Sequence, residues 1–381
     1  MTPSQAYYDQ TQMGESRWWS WIVGFWFTII AWIIGQSVLT APIPDIAAKI
    51  DPELGTEFDR AGLAFAENMD MIKFLGLGSG LGATVILGSI FWLTNRNTKG
   101  RTRSVFGVLT GIMIALSVIL AILIAPMTGT TELNSLMQKM IGVSAQNYML
   151  MLLTFPALLV GLYLVQKFIH KRTILSLHTA ARKFRWHRLL QAVIITFIIY
   201  TATSLIGHVT GLSKLRFTFD STRFFQFALV SLLFIPLQSA TEEIMLRGYL
   251  NQGFVSVFKN KWLAYILTSF LFMALHLSNP EAVKAASESP LIYYITMSSY
   301  FLFGFLMCLV IEIDGGLEAA IGIHAANNLF AAIFVNYENS ALPTPSVFLA
   351  KLNPALDLPI GMAALSLACF AIYKTRKPLA P

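Results

Sequence analysis

The sequence predicts an all-α, polytopic membrane helix bundle with about ten transmembrane helices and both termini in the cytoplasm. Of the 381 residues, 55% are hydrophobic and only 12% are charged, whereas soluble domains carry about 25% charged residues. The apolar residues form long runs, and most lysines and arginines lie in the short segments between them. No stretch alternates between apolar and polar residues as the strands of a membrane barrel do, so no strands are predicted.

A helix of about 20 apolar residues crosses the hydrocarbon core of a bilayer, and ten runs approach that length. The predicted spans are residues 18–41, 74–93, 105–127, 148–165, 189–212, 224–242, 262–277, 291–313, 317–335 and 358–373. The first run is too long for a signal peptide, whose apolar region has about 7–15 residues. It is predicted to be a retained span, anchored at the interface by Trp18, Trp19 and Trp21. The acidic segment 42–73 is expected to contain an amphipathic surface helix.

The distribution of lysine and arginine predicts the orientation. The loops after the second and fourth spans and the C-terminal tail are basic, as cytoplasmic loops are. The net charge of +7 is therefore interpreted as a topology signal, with binding to anionic lipid as a weaker addition, and nucleic acid is not an expected partner. The most basic loop is segment 167–188. His170, His178 and His187 lie in or beside it and are expected to be solvated.

Several features have ordinary structural interpretations. The glycine-rich run 76–82 lacks the preceding strand of a phosphate-binding loop, so Gly78 and Gly82 are expected to pack against a neighbouring helix. Cys308 and Cys369 lie inside apolar runs and are expected to be core residues. His208, near the end of the fifth predicted span, is interpreted as a packing residue.

The segment 241–248 places three charged side chains at the end of an apolar run. A charge near the bilayer centre costs roughly 2.5–3.5 kcal/mol, so such residues need a partner, a water-filled cavity or a function. Glu243 and Arg247 are four residues apart and can pair on one helix face. Glu242 points about 100° away from Glu243 and has no obvious partner at helical spacing, so we expect it to face the interior of the bundle.

Two later spans carry further polar side chains. His276 ends the sequence Phe-Met-Ala-Leu-His, and His324 and Asn328 are four residues apart on one helix face. A carboxylate and an imidazole can deprotonate a water molecule, while a second imidazole and an amide N–H can stabilise an oxyanion. Together with Glu242, these residues form a set that can hydrolyse an amide bond.

The three motifs Glu-Glu-x-x-x-Arg, Phe-x-x-x-His and His-x-x-x-Asn occur in this order, each on its own span. In this pattern the chain resembles the CPBP family, also called ABI. That family includes the type II CAAX prenyl endopeptidases and the bacteriocin-processing and immunity proteins. The resemblance covers roughly residues 189–337, and every motif position is filled. It suggests a division into an accessory region with four spans (1–188), a protease core (189–340) and a C-terminal helix with a basic tail (341–381).

The resemblance implies an intramembrane endopeptidase that cuts a peptide bond near the cytoplasmic membrane face. Glu242 would be the general base with help from His276, and His324 and Asn328 would form the oxyanion site. Glu243 and Arg247 would be a structural pair, and Phe272 would shape the pocket. The implied partners are the bilayer and a peptide or protein substrate, lipidated or not, and the implied location is the bacterial plasma membrane. A non-catalytic immunity or scaffold protein and a proton-coupled transporter are the alternatives.

Two questions stay open at the level of sequence. Two histidines and a carboxylate suffice for a catalytic zinc, so Glu242, His276 and His324 are a candidate zinc set, although no His-Glu-x-x-His motif is present. The predicted spans also place Glu242 near a membrane face and His276 roughly 20 Å along its helix at the standard helical rise. These residues can meet only if helices tilt or break, for example at Pro236. We expect a cavity that opens to the cytoplasmic side.

Overall fold

The computed structural model of the chain describes residues 2–68 and 130–376. Two predicted spans, 74–93 and 105–127, and the glycines at 76–82 lie outside the described residues. The predicted total of ten spans and the orientation of the termini therefore stay predictions.

The described residues form a helix bundle with one small sheet, and three of the helices end in a π-helical turn. The helices are α1 (Pro3–Asp9), α2 (Trp18–Thr40), α3 (Ile43–Ile50), α4 (Pro52–Asn68), α5 (Thr130–Val143), α6 (Ala145–Leu152), α7 (Thr154–Leu164), α8 (Leu175–His178), α9 (Trp186–Val209), α10 (Ser221–Glu243), α11 (Asn251–Phe258), α12 (Lys261–Leu275), α13 (Pro280–Glu288), α14 (Pro290–Asp314), α15 (Glu318–Leu329) and α16 (Pro354–Lys374). A 3₁₀ turn (Gln10–Met13) follows α1, and the π-helical turns Val165–Ile169, Ile244–Leu250 and Phe330–Phe334 follow α7, α10 and α15.

The long apolar helices confirm an integral membrane bundle. Within the described residues, six helical stretches are long and apolar enough to cross a membrane, and they agree with six predicted spans. They are Trp18–Ile50, Ala145–Ile169, Trp186–Val209, Ser221–Phe258, Pro290–Asp314 and Pro354–Lys374. Many aliphatic side chains on α9 are exposed, among them Ile194 and Ile198. Such an outer surface suits contact with lipid.

Two predicted spans differ in form from simple membrane helices. The predicted span 262–277 is the 15-residue helix α12, and it is followed by a bend of 84° into α13. Pro280 begins α13, and proline has no N–H with which to continue the hydrogen bonding of a preceding helix. The predicted span 317–335 is the short helix α15 with its π-helical turn. Nearly all of α15 is buried, and it packs against α9 and α10.

The prediction of no strands is wrong. β1 (Leu215–Phe217), β2 (Val335–Tyr337) and β3 (Phe348–Ala350) form a sheet in the order β1-β3-β2. β1 and β3 are antiparallel, and β2 and β3 are parallel. Each strand has three residues and lies in a connection between helices, so it is too short to show a period of two in the sequence.

Candidate active site

The helical segment that carries Glu242 continues well past the end that the sequence predicted. α10 runs through the π-helical turn into α11, so the stretch Ser221–Phe258 has 38 residues and Glu242 lies inside it. The chain then turns at Lys259, which has a left-handed backbone, and the Asn260 side chain caps the start of α12. At about 1.5 Å per residue, Glu242 and His276 both lie about 22–24 Å from this turn. The sequence predicted that Glu242 and His276 lie at different depths along their helices, and the structure does not show this difference.

Glu243 lies at the centre of a fully buried ionic cluster. Arg247 Nη1 donates a hydrogen bond of 3.1 Å to Glu243 Oε1, as the spacing of four residues predicts. His324 Nδ1 lies 2.7 Å from the same oxygen. The Arg247 guanidinium also lies 4.4 Å from the centre of the Phe272 ring. Since a carboxylate can only accept, Nδ1 of His324 carries a proton, and its Nε2 points away from Glu243.

Glu242 takes a different direction from Glu243. Its side chain is 17% exposed, whereas that of Glu243 is fully buried, and its Oε2 lies 3.8 Å from His324 Nε2. The expectation that it has no partner at helical spacing is wrong, because Gln238, four residues earlier, donates its side-chain N–H to Glu242 Oε1. Glu242 therefore has one oxygen that is held in place and one that faces His324.

His276 follows the last residue of α12, where the broken span bends. Its Nδ1 lies 2.7 Å from the carbonyl oxygen of Phe272, so Nδ1 carries the proton and the neutral ring has its lone pair on Nε2. The Tyr300 ring stacks on the imidazole at 4.3 Å. The Tyr300 hydroxyl in turn donates to Glu281. These contacts fix the plane of the imidazole and leave Nε2 as its basic atom.

One cavity of about 1240 Å³ connects these side chains. Its polar wall includes all four residues that the sequence predicted as catalytic, contributed by α10, α15 and the bend after α12. These residues are Glu242, His276, His324 and Asn328. Phe272 also lines the cavity, while Glu243 and Arg247 lie behind the wall. The rest of the lining is largely apolar and includes Trp19, Trp26 and Trp32 of α2.

Some residues at this cavity were missed in the sequence. Gln238 shares a helix face with Glu242 and could have been found from the spacing of four residues. Tyr300 and Glu281 are distant in sequence from the motifs and gave no local signal. Asn327, whose orientation the sequence left ambiguous, also lines the cavity. His208 is not among the residues of this wall.

The expectation that the histidines of the basic loop are solvated holds for His187 but is wrong for two others. His170 is fully buried and His178 is 9% exposed. His170 contacts the Glu15 carbonyl oxygen and the Tyr249 hydroxyl, and burial lowers its pKa to about 4. Sequence reasoning failed because the N-terminal segment before α2 folds over this loop.

Three arginines of the same loop are also packed into the structure. Arg188 contacts Asp314 at 2.8 Å, and Arg185 contacts Glu318 at the same distance. Arg172 donates to Gln252. These contacts tie the loop to α11, α14 and α15, so these arginines have structural roles in addition to any effect on topology.

The arrangement does not fit the candidate zinc set. Within residues 2–68 and 130–376, no three His, Cys, Asp or Glu side chains are gathered closely enough to hold a metal ion. The Nδ1 atoms of His324 and His276 are hydrogen bonded to Glu243 and to a backbone carbonyl oxygen, so these rings could bind a metal only through Nε2. A catalytic zinc held by Glu242, His276 and His324 is therefore not supported by the positions of these side chains.

Comparison with known proteins points to the same region of the chain. Residues 223–330 match the family described as type II CAAX prenyl endopeptidase Rce1-like. This match is narrower than the resemblance estimated from the motifs, but it contains all three. An uncharacterized protein, YyaK, of Bacillus subtilis (strain 168) is 30% identical over 190 residues, which are 49% of this chain and 61% of that protein. No solved structure matches.

Proposed function

We propose that this membrane protein is an intramembrane endopeptidase, because residues 223–330 match the family described as type II CAAX prenyl endopeptidase Rce1-like. Its substrate would be a peptide or protein, lipidated or not, within or beside the bilayer. The observation that carries the proposal is the cavity wall formed by Glu242, His276, His324 and Asn328. The Bacillus relative supports a bacterial plasma membrane as the location.

The reaction begins with a water molecule between Glu242 and His276. Gln238 holds Glu242 Oε1, so Oε2 takes a proton from the water while His276 Nε2 accepts a hydrogen bond from it. The resulting hydroxide attacks the carbonyl carbon of the scissile bond. As the tetrahedral intermediate collapses, Glu242 passes the proton to the leaving nitrogen, which restores the carboxylate.

The oxyanion of the intermediate needs hydrogen-bond donors in a dry site, each worth roughly 3–4 kcal/mol. Asn328 Nδ2 is one donor. His324 Nε2 can be the second only if the ring is an imidazolium, because its Nδ1 proton is already given to Glu243. As Glu242 takes the proton and hydroxide attacks, negative charge moves from the Glu242 carboxylate to the oxyanion. His324 Nε2 lies 3.8 Å from Glu242 Oε2, on the side where this charge develops.

The test is cleavage of fluorogenic peptides, prenylated and unmodified, by the purified protein in liposomes. Each peptide is run with wild type and with Glu242→Ala, with and without a zinc chelator. Cleavage that needs Glu242 and survives the chelator supports the proposal. Cleavage that is lost with the chelator and restored by zinc contradicts the mechanism. Function of the chain in cells after Glu242→Ala together with His276→Ala would indicate a non-catalytic role.

A further inference from the structure

A line of hydrogen-bonded side chains crosses three helices and ends at Glu242. The Tyr200 hydroxyl donates to Asn327 Oδ1 at 3.0 Å, and Asn327 Nδ2 donates to Asn328 Oδ1 at 3.0 Å. Asn328 Nδ2 donates to Gln238 Oε1 at 3.1 Å, and Gln238 Nε2 donates to Glu242 Oε1. We name Tyr200, Asn327, Asn328 and Gln238 the amide relay. All of its members line the cavity.

The direction of the amide relay follows from the chemistry at its end. An ionised carboxylate has no donor, so Gln238 must present its NH₂ group to Glu242 and its carbonyl oxygen to Asn328. Asn328 must then turn its own NH₂ group toward Gln238 and its oxygen toward Asn327. Tyr200 completes the series, because a hydroxyl can donate to the remaining oxygen of Asn327. An ionised Glu242 thus accounts for every amide orientation in the series.

This direction has a consequence for the reaction. The oxyanion needs the NH₂ group of Asn328 and not its oxygen, and the contact with Gln238 selects that orientation. The same Gln238 holds Glu242 Oε1, so Oε2 is the atom left to accept the proton of water. One side chain therefore sets both the oxygen that acts as base and the orientation of an oxyanion donor.

We infer that Gln238 is a positioning residue for hydrolysis, and that Tyr200 and Asn327 hold its amide in the required orientation through Asn328. This inference rests on the proposed function. A glutamine that only filled space would need no matched donor and acceptor on two other side chains. Gln238 instead uses both ends of its amide, on Glu242 and on Asn328, from a nearly buried position.

The test compares Gln238→Met, which keeps the length and removes both hydrogen bonds, with Tyr200→Phe and the control Thr241→Val. Thr241 lies on the same helix, and its buried hydroxyl donates only to the carbonyl oxygen of Leu237. A misplaced catalytic group can cost on the order of 100-fold in rate. We therefore expect Gln238→Met to lower kcat by about 10- to 100-fold with KM nearly unchanged. Tyr200→Phe should lower kcat less, and Thr241→Val should not lower it.

A folded Gln238→Met protein with wild-type kcat would overturn the inference. An increase in KM alone would also overturn it, since Gln238 would then contact the substrate. If Gln238→Met does not fold, kcat and KM of the conservative variant Tyr200→Phe decide instead. A lower kcat with unchanged KM supports the inference, and a wild-type kcat overturns it.

A second readout does not depend on cleavage, so it separates this inference from the proposed function. Thermal stability is measured for Gln238→Met, Glu242→Met and the double variant. The relay predicts that the shifts in Tm are not additive, because both changes break the same contact. Additive shifts would overturn the relay even in a protein that cleaves its peptides. A protein that cleaves no peptide but shows non-additive shifts would instead contradict the proposed function.

Discussion

Replacing Arg247 should destabilise the fold far more than replacing Glu242. Arg247 and Glu243 are both fully buried and joined by one hydrogen bond of 3.1 Å. Removing one partner of a buried pair costs about 3–5 kcal/mol, because the other charge is left without compensation. We expect a value near the lower end of that range for Arg247→Met, since His324 still contacts the Glu243 carboxylate at 2.7 Å. Arg247→Ala should cost more, because it also leaves a void beside Phe272.

The assay is unfolding of the purified protein in mixed micelles, followed by tryptophan fluorescence. The matched variant is Glu243→Gln together with Arg247→Met, which removes both charges. A buried pair replaced by neutral groups of similar size is often close to neutral in stability, so the double variant should regain much of the loss. Glu242→Ala should retain folded protein. An unchanged stability in Arg247→Met, or a loss in Glu242→Ala as large as in Arg247→Ala, would refute the separation into a structural and a catalytic carboxylate.

Three further predictions follow from other parts of the structure. Asn328→Ala should lower kcat by about 100- to 1,000-fold with little change in KM, as expected for the loss of one oxyanion donor, and steady-state kinetics would show it. The pKa of His170 in the folded state is about 4, which lies below the ordinary value for histidine. The free energy of unfolding should therefore have its full value above about pH 6.5 and fall by up to about 3 kcal/mol as the pH drops toward 4. Denaturation at several pH values should show a smaller decrease in the free energy of unfolding for His170→Gln than for the wild type. An equal decrease would show that His170 is not its source. A Cβ at Gly322 would lie 2.4 Å from the Leu189 carbonyl oxygen, whereas one at Gly361 would meet nothing within 4 Å. Gly322→Ala should therefore lower Tm and Gly361→Ala should not, and equal shifts would argue against close contact of α9 and α15.

The sequence predicted the helical class and the polar residues that line the cavity because both leave local signals. Apolar runs identify helices that contact lipid, and carboxylates or histidines inside such runs are rare enough to stand out. Each motif also has a spacing of four residues, which places its members on one helix face. The pair formed by Glu243 and Arg247 was found in this way.

Features that depend on tertiary structure were not found. The depth of Glu242 was misjudged because an apolar run ends at its charges, while the helix itself continues to Phe258. His276, at the end of α12, then lies at the same level as Glu242. No single residue before Pro280 signals the bend that follows His276. The burial of His170 depends on a polar N-terminal segment that folds over a basic loop, and charge alone gives no sign of such a contact.

The most direct test of the central claim is cleavage in water labelled with heavy oxygen. Purified wild type and Glu242→Gln in liposomes are given the same peptide, and both products are weighed by mass spectrometry. The account predicts that the wild type adds one labelled oxygen to the new carboxyl terminus, and that folded Glu242→Gln forms almost no product. Labelled product formed at the wild-type rate by folded Glu242→Gln would contradict the role of Glu242 as the base.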